Sequence, residues 1–276
     1  MGIALGLLGG LFLGGAVYLS PARLAKTIDR DLRARLGPVE HLQVYVRGPR
    51  GVPVMKGRFD SVDIKVRGFN GDRADLPTFE ADSSAHSKEM GFIKAIHIDA
   101  RDFLYDQVRV QQAQVQLTNL RFDAGAAAKK QMRLLELEAG EAEIRLTEAE
   151  LRARALPNLS GVLAPTFEFE RARLKVTGKH KVGLLSVPFS LSGQVAMRNG
   201  TEVHLVETDL RLSVVPVPDG LEQRLLSNLN PVYTFKTAGQ WPFRVAIESV
   251  QLHQRELVAK CKVTLQAPQV VPTGVP

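Results

Sequence analysis

The sequence has a single cysteine, Cys261, among its 276 residues. One thiol cannot form an intramolecular disulfide, and it cannot supply the paired cysteines of a classical structural zinc site. The 6 histidines include no His-x-x-x-His pair, so metal catalysis has no visible site and no cofactor is expected. The chain also lacks a Gly-x-Ser-x-Gly nucleophile motif and a Gly-rich phosphate loop. These absences leave serine-hydrolase, metal-dependent and nucleotide-binding chemistry without a visible site.

Carboxylates cluster at two places, but their spacing is that of a strand surface. The glutamates are Glu136, Glu138, Glu141, Glu143, Glu168 and Glu170. Each alternates with apolar residues, which places the carboxylates on the wet side of a strand. We therefore favour a solvated face over a glycosidase-like acid pair.

The chain is basic, with 36 lysines and arginines against 29 acidic residues and a formal net charge of +7. This balance suits an anionic surface such as phospholipid headgroups or nucleic acid, although solubility alone would also explain it. Nucleic acid is disfavoured because the basic residues are mixed with acidic ones. In addition, 12 of the aromatic residues are phenylalanines, which lie mostly at apolar positions rather than on exposed stacking platforms.

Most long stretches after residue 55 alternate apolar with polar residues. Clear cases are Val62, Ile64, Val66; Val108, Val110; Val115, Leu117; Phe167, Phe169; and Leu257, Ala259, Cys261, Val263, Leu265. A period of two is typical of an antiparallel sheet with one apolar and one wet face. The predicted fold class is α+β, mostly β: a large curved antiparallel sheet with a few short helices. Because few helices are amphipathic enough to cover that sheet, an apolar, elongated ligand is predicted to lie in an elongated apolar groove.

Local signals place the individual elements. Strands are predicted at 42–46, 58–67, 79–83, 92–98, 107–112, 114–122, 132–146, 166–177, 182–197, 201–215, 243–252 and 256–265. Thr147 and Glu150 form a capping box for a helix at 148–155, and a further helix follows Asp219. Asn199-Gly200 predicts a two-residue hairpin turn, since both residues tolerate positive φ.

The first residues predict a membrane segment followed by a helix. Residues 3–19 are uncharged and apolar, which predicts a signal anchor or signal peptide over 1–20. Ser20 and Pro21 open a helix that Gly37-Pro38 ends, and its apolar residues recur every fourth position. That stripe either docks on the sheet, which we favour, or lies on a membrane. Residues 21–265 are expected to form one β-rich domain, with halves 21–157 and 158–265 as an alternative, and 266–276 a flexible tail.

Several segments together resemble the LmeA-like phospholipid-binding proteins, a family of bacterial proteins. They are the leading apolar segment with the helix at 23–36, the strand from Gly57 to Val66 (GRFDSVDIKV), the strand-to-helix step from Ile144 to Leu151 (IRLTEAEL) and the hairpin near Trp241-Pro242-Phe243. The resemblance covers about residues 23–265 and rests on patterns of apolar residues and glycines. It implies a sheet related to tubular lipid-binding folds, a role in lipid carriage or cell-envelope maintenance, and no enzyme activity.

The resemblance implies an extracytoplasmic protein, anchored in the membrane or secreted after cleavage. The positive-inside rule alone would place the body in the cytoplasm, because the basic residues follow the apolar run. Export is favoured, with phospholipid or another membrane lipid and the membrane surface as partners and nucleic acid excluded. The alternative is a membrane-tethered scaffold protein of the envelope that carries no lipid.

Candidate lipid contacts are the apolar faces of the predicted strands. They are Val62, Ile64, Val66, Ile96, Ile98, Val108, Val110, Val115, Leu117, Phe167 and Phe169. For each of them, packing against a helix is the alternative role. Lys65, Arg67 and Arg109 are predicted to bind the headgroup phosphate as a basic rim.

Overall fold

The computed structural model describes residues 20–49, 57–75, 80–81, 90–128, 133–155, 162–170, 173–182, 185–213, 220–234, 243–253 and 255–265. Strands dominate these residues and the helices are short, which confirms the mostly β class. The helices are α1 (Pro21–Leu36), α2 (Ala124–Ala128), α3 (Glu148–Ala155) and α4 (Leu221–Leu229). The strands are β1 (His41–Arg47), β2 (Arg58–Arg67), β3 (Glu80–Ala81), β4 (Met90–Tyr105), β5 (Val108–Asp123), β6 (Arg133–Thr147), β7 (Val162–Glu170), β8 (Arg173–Val182), β9 (Leu185–Arg198), β10 (Glu202–Leu212), β11 (Tyr233–Thr234), β12 (Phe243–His253) and β13 (Glu256–Leu265).

The described strands form two sheets instead of the one predicted. An 8-stranded curled sheet has the order β1-β2-β4-β5-β6-β13-β12, with β3 paired to β6 beside that path. A 5-stranded sheet has the order β11-β10-β9-β8-β7. The C-terminal hairpin β12–β13 joins the large sheet rather than the small sheet that precedes it in the chain. Within the described residues, β12 is the last strand on its side of the large sheet.

The prediction of an antiparallel sheet is wrong at two pairings. Strands β2 and β4 run parallel, with Val62 opposite Ile96 and Ile64 opposite Ile98. The short strand β3 also runs parallel to β6. A parallel pair needs a long connection, and residues 68–89 between β2 and β4 supply one. Alternation of apolar and polar residues cannot distinguish the two directions, because a strand exposed on one face shows it either way.

In the long hairpin β4–β5, the alternation of buried and exposed residues shifts by one position at two places. On β4 the buried series passes from Ile93 to Ile96 and from Ala100 to Phe103, so the period of two slips by one residue at each step. On β5 the alternation of buried and exposed residues shifts at the positions opposite these. The pairing register between the two strands is unchanged along the whole hairpin. Asp102 lies at one slip with φ of 50°. The hairpin therefore bends without losing its pairing, as a curled sheet requires.

Helix α1 docks on the large sheet, which confirms the favoured interpretation. Its stripe of Leu24, Ile28, Leu32 and Leu36 is buried to 2% exposure or less. The Ser20 hydroxyl oxygen accepts a hydrogen bond from the Arg23 backbone N–H at 3.4 Å, as expected for an N-cap. The helix contacts β1, and at its far end the guanidinium of Arg33 donates to the Leu42 carbonyl at 3.2 Å.

Two other local predictions are confirmed in part. Asn199 and Gly200 have positive φ of 53° and 69° as predicted, but Thr201 also lies in the turn, so three residues rather than two separate the paired Arg198 and Glu202. At α3 the Thr147 hydroxyl oxygen accepts from the Glu150 N–H at 3.3 Å. The reciprocal half of that capping box is absent, because the Glu150 carboxylate accepts instead from the backbone N–H of Arg109 at 3.1 Å. This contact fastens α3 to the start of β5.

The predicted membrane segment, residues 3–19, lies outside the described residues, as do the tail 266–276 and Trp241-Pro242. Among the residues that the structure describes, no helix is both long and apolar enough to span a bilayer.

One apolar core joins α1, α3, α4 and both sheets. Its buried members come from nearly every described strand, and among the described residues none that is fully buried is polar or charged. The small sheet contributes Phe167, Val176, Leu191 and Val203 to this core. The two sheets therefore share one interior.

Candidate functional site

The predicted lipid-contact residues all belong to the shared apolar interior. Ten of them, on β2, β4, β5 and β7, are at most 5% exposed. The eleventh, Phe169, is half-buried and packs against the same core. The structure thus brings the predicted residues together. The chain's own side chains surround them, and their contact with lipid stays a prediction.

The three predicted headgroup residues lie on the outer, polar side of the large sheet. The guanidinium of Arg67 is 3.0 Å from an Asp102 carboxylate oxygen and 3.6 Å from one of Glu40. Lys65 lines a shallow cavity of about 120 Å³ with Asp63 among its neighbours. Arg109 is exposed on β5. The two carboxylates beside Arg67 offset its charge, so an anionic headgroup would have to compete with them. Headgroup binding by these residues stays a prediction.

A row of half-buried aliphatic side chains marks where the large sheet meets the small one. On β12, the side chains of Val245 and Ile247 lie opposite the buried Val263 and Cys261 of β13. Because directly opposed residues of neighbouring strands point to the same face, these β12 side chains face the interior. They are half-buried, and within the described residues no strand is hydrogen-bonded to the side of β12 that faces away from β13.

Strand β9 lies against β12 and completes this row. Val195 and Met197 of β9 are half-buried, and they sit opposite Leu205 and Val203, which are buried. The apolar seam is defined by Val195, Met197, Val245, Ile247 and Val250, all of which pack against the core. Sequence patterns indicated the strands but not the seam, since the position of a strand at a sheet edge depends on topology.

The cavity beside α3 is unsuited to an acyl chain. It has a volume of about 710 Å³ and lies between the start of α3, the end of β7 and the β12–β13 turn. Its lining includes four carboxylates, Glu148, Glu168, Glu170 and Glu256, and two arginines. Arg152 donates to Glu148 at 2.8 Å and to the Phe167 carbonyl at 3.0 Å. Burying hydrocarbon among these charged groups would be unfavourable.

The acidic residues and the thiol behave as structural groups. Glu136, Glu138 and Glu141 are exposed, and the Glu136 carboxylate is 3.0 Å from the guanidinium of Arg121, which confirms the solvated face. Burial raises the pKa of Cys261 to about 12, so its thiol is protonated at neutral pH and is a poor nucleophile.

A family model described as LmeA-like phospholipid-binding matches residues 91–261. This range is more than half of the chain, and it contains both strands of the apolar seam. The match confirms the resemblance noted in the sequence. Comparison with curated proteins and with solved structures gave no match.

Proposed function

The chain belongs to the LmeA-like phospholipid-binding family, and on this premise we propose that it binds a phospholipid with an acyl chain inserted along the apolar seam. We further propose that it transfers or presents this lipid at the bacterial cell envelope. In this proposal the protein is extracytoplasmic, and residues 1–20 anchor it to the membrane or are removed on secretion.

The apolar seam is the observation that carries the proposal. It offers half-buried aliphatic side chains continuous with a dry interior, which is the surface an acyl chain needs. Strand β12 is hydrogen-bonded on the β13 side alone within the described residues. Movement of β12 away from β9 would therefore open the interior without breaking a strand pairing between them. An inserted acyl chain would replace the apolar contacts of Ile247 with its neighbours by apolar contacts with the lipid.

The free energy of burying an acyl chain favours exchange of lipid with a membrane over tight binding of lipid. Each buried methylene gains about 0.8 kcal/mol relative to water, so an acyl chain of about fourteen methylenes gains on the order of 11 kcal/mol. The same chain gains nearly as much inside a bilayer. The free-energy change for moving the acyl chain from a membrane to the protein is then close to zero, which suits a protein that transfers lipid.

The second candidate is a membrane-tethered structural or scaffold protein of the envelope that binds no lipid. The specific observation in its favour is the burial of the predicted contact residues by the chain itself, at 0% exposure for Val62, Ile64 and Ile96. In that case the seam is the rim of a completed core.

Mass spectrometry of organic extracts from the purified, folded protein separates the two candidates. Phospholipid that co-purifies at a reproducible molar ratio supports lipid binding. Repeated extracts without lipid from a protein with an intact β-sheet spectrum support the scaffold.

A matched pair of variants then tests the seam itself. Ile247→Gln with Val250→Gln places two amides on the seam, and we expect it to lower the bound lipid at least tenfold, because an acyl chain cannot hydrogen-bond them. Val44→Gln with Val46→Gln makes the same change at half-buried positions on β1, at the other side of the large sheet. Equal loss of lipid in both variants, or no loss in either, would contradict the assignment to the seam.

A further inference from the structure

A second feature lies on the outer face of the large sheet, where β2 and β4 begin. Arg58 of β2, Phe92 of β4 and Arg121 of β5 occupy one cross-strand row. Met90 and Lys94 flank Phe92 on the same face of β4, since alternate residues share a face. These side chains border an open cleft of about 510 Å³ that also includes Pro49 and Asp60. We call this cleft the basic cleft and define it by Arg58, Asp60, Met90, Phe92, Lys94 and Arg121.

The basic cleft carries excess positive charge. Its described lining holds three cationic side chains and one carboxylate, that of Asp60. Arg121 is paired with Glu136 at 3.0 Å, whereas Arg58 and Lys94 are exposed and form no ion pair with any residue that the structure describes. Two cations without an ion-pair partner among the described residues therefore face solvent beside Phe92, Arg58 on the neighbouring strand and Lys94 further along β4. The surroundings of Arg67 are different, because its guanidinium is already paired with carboxylates.

The same cleft exposes apolar side chains on the outer face of the large sheet. Met90 is 55% exposed, and Phe92 is half-buried beside it. The exposed Met90 and the half-buried Phe92, next to the exposed cations Arg58 and Lys94, form an amphipathic surface. Such a surface is typical of a protein that touches a membrane interface, where apolar side chains enter the headgroup region and basic ones meet phosphate.

We propose that the basic cleft is a docking surface for an anionic phospholipid bilayer, with Met90 inserted among the headgroups and Arg58 and Lys94 paired with phosphate oxygens. Charge complementarity selects this partner, because an anionic bilayer presents both the phosphates and the adjacent apolar layer. The docking surface deepens the proposed lipid function and rests on it for its purpose, since it brings the protein to the membrane from which lipid would be taken.

A dye at position 90 reports the contact directly. Met90→Cys in the full chain can be labelled with an environment-sensitive maleimide, because the native Cys261 is buried and protonated at neutral pH. Leu163→Cys, at a second exposed apolar position on β7 with 46% exposure, is the control for general adsorption. Each labelled protein is titrated with vesicles of equal parts phosphatidylcholine and phosphatidylglycerol, and with vesicles of phosphatidylcholine alone.

We expect a blue shift of the position-90 dye with the anionic vesicles and little change at position 163. Arg58→Gln with Lys94→Gln should weaken the partition that this shift reports by on the order of 30-fold, because two interfacial cations are lost. Lys179→Gln with Lys181→Gln, which removes two exposed lysines of β8, should leave it within about threefold. High salt should reduce the difference between the two double variants.

The proposal is overturned if the position-90 dye does not respond, or if it responds equally to both kinds of vesicle and to both double variants. Failure of the docking surface and failure of the proposed function give different results. A protein that carries lipid while its position-90 dye is silent contradicts the docking surface alone, whereas a responsive dye on a protein that never yields bound lipid contradicts lipid carriage alone.

Discussion

The substitution Ile28→Ala tests whether helix α1 is part of the folded core in solution. Ile28 is 0% exposed in the middle of the α1 stripe. Alanine removes three carbon atoms, worth about 2.4 kcal/mol at about 0.8 kcal/mol per methylene, and the cavity that remains adds to this loss. We expect the free energy of unfolding to fall by about 3 kcal/mol. For a domain of this size that corresponds to a drop in Tm of about 10 °C.

Thermal unfolding followed by circular dichroism measures the effect, with Lys26→Ala as the matched control. Lys26 is exposed on the same helix, so its substitution should change the Tm by less than about 2 °C. A similar small change for Ile28→Ala would refute the docking of α1. In that event α1 would lie on the membrane, and the substitution should weaken vesicle binding instead.

Three further predictions follow from the packing of single residues. Gly140→Ala should destabilise the protein by about 2 kcal/mol in denaturant titrations, because a Cβ there would lie 2.7 Å from the Val263 carbonyl oxygen; unchanged stability would contradict the close approach. Cys261, with its pKa raised to about 12, should react with iodoacetamide at pH 8 at least about 100-fold more slowly in the native than in the unfolded protein, as mass spectrometry of the adduct would show; equal rates would contradict its burial. Asn230→Ala should cost about 2 kcal/mol, because the Asn230 amide accepts from the Leu205 N–H at 2.8 Å and donates to its carbonyl at 3.1 Å; a Tm equal to that of Ser227→Ala would argue against both bonds.

Features fixed by neighbouring residues could be predicted from the sequence. The bounds of α1 follow from Ser20, Pro21 and Gly37, and the turn at Asn199-Gly200 follows from residues that accept positive φ. Both depend on backbone preferences and hydrogen bonds within a few residues. The apolar sides of β2 and β13 were also predicted correctly, because alternation within one strand records which side is dry.

Features that depend on distant segments could not be predicted in this way. The predicted break at residue 113 is wrong, because Ala113 is buried inside a continuous strand β5 that changes its buried face near Gln111. Residues 166–177 were predicted as one strand, but the alternation continues across two, β7 and β8, in which Glu170 is paired with Arg173. Only two residues separate Glu170 from Arg173 in the sequence, which is too few to interrupt the alternation.

In the candidate site, too, features set by neighbouring residues could be predicted and features set by distant segments could not. The pattern identified an apolar face, and the structure places all of that face in one interior. It could not identify which strand would end the sheet, so the seam residues Val245 and Ile247 were not singled out. The grouping of the cations in the basic cleft could not be predicted for a related reason. Arg58, Lys94 and Arg121 are far apart in the chain, and they become neighbours only through the parallel pairing of β2 with β4 and the antiparallel pairing of β4 with β5.

The place of β13 between β6 and β12 has a consequence for how the protein matures. Strand β6 ends at Thr147, but the partner that protects its second edge ends at Leu265. At roughly 5–20 residues per second, a ribosome needs on the order of ten seconds to supply that partner. Throughout that interval the nascent chain presents an unsatisfied strand edge, which is a hazard for association with other chains. A premature stop before the final hairpin would make that exposure permanent, so the last strands guard solubility as much as they complete the architecture.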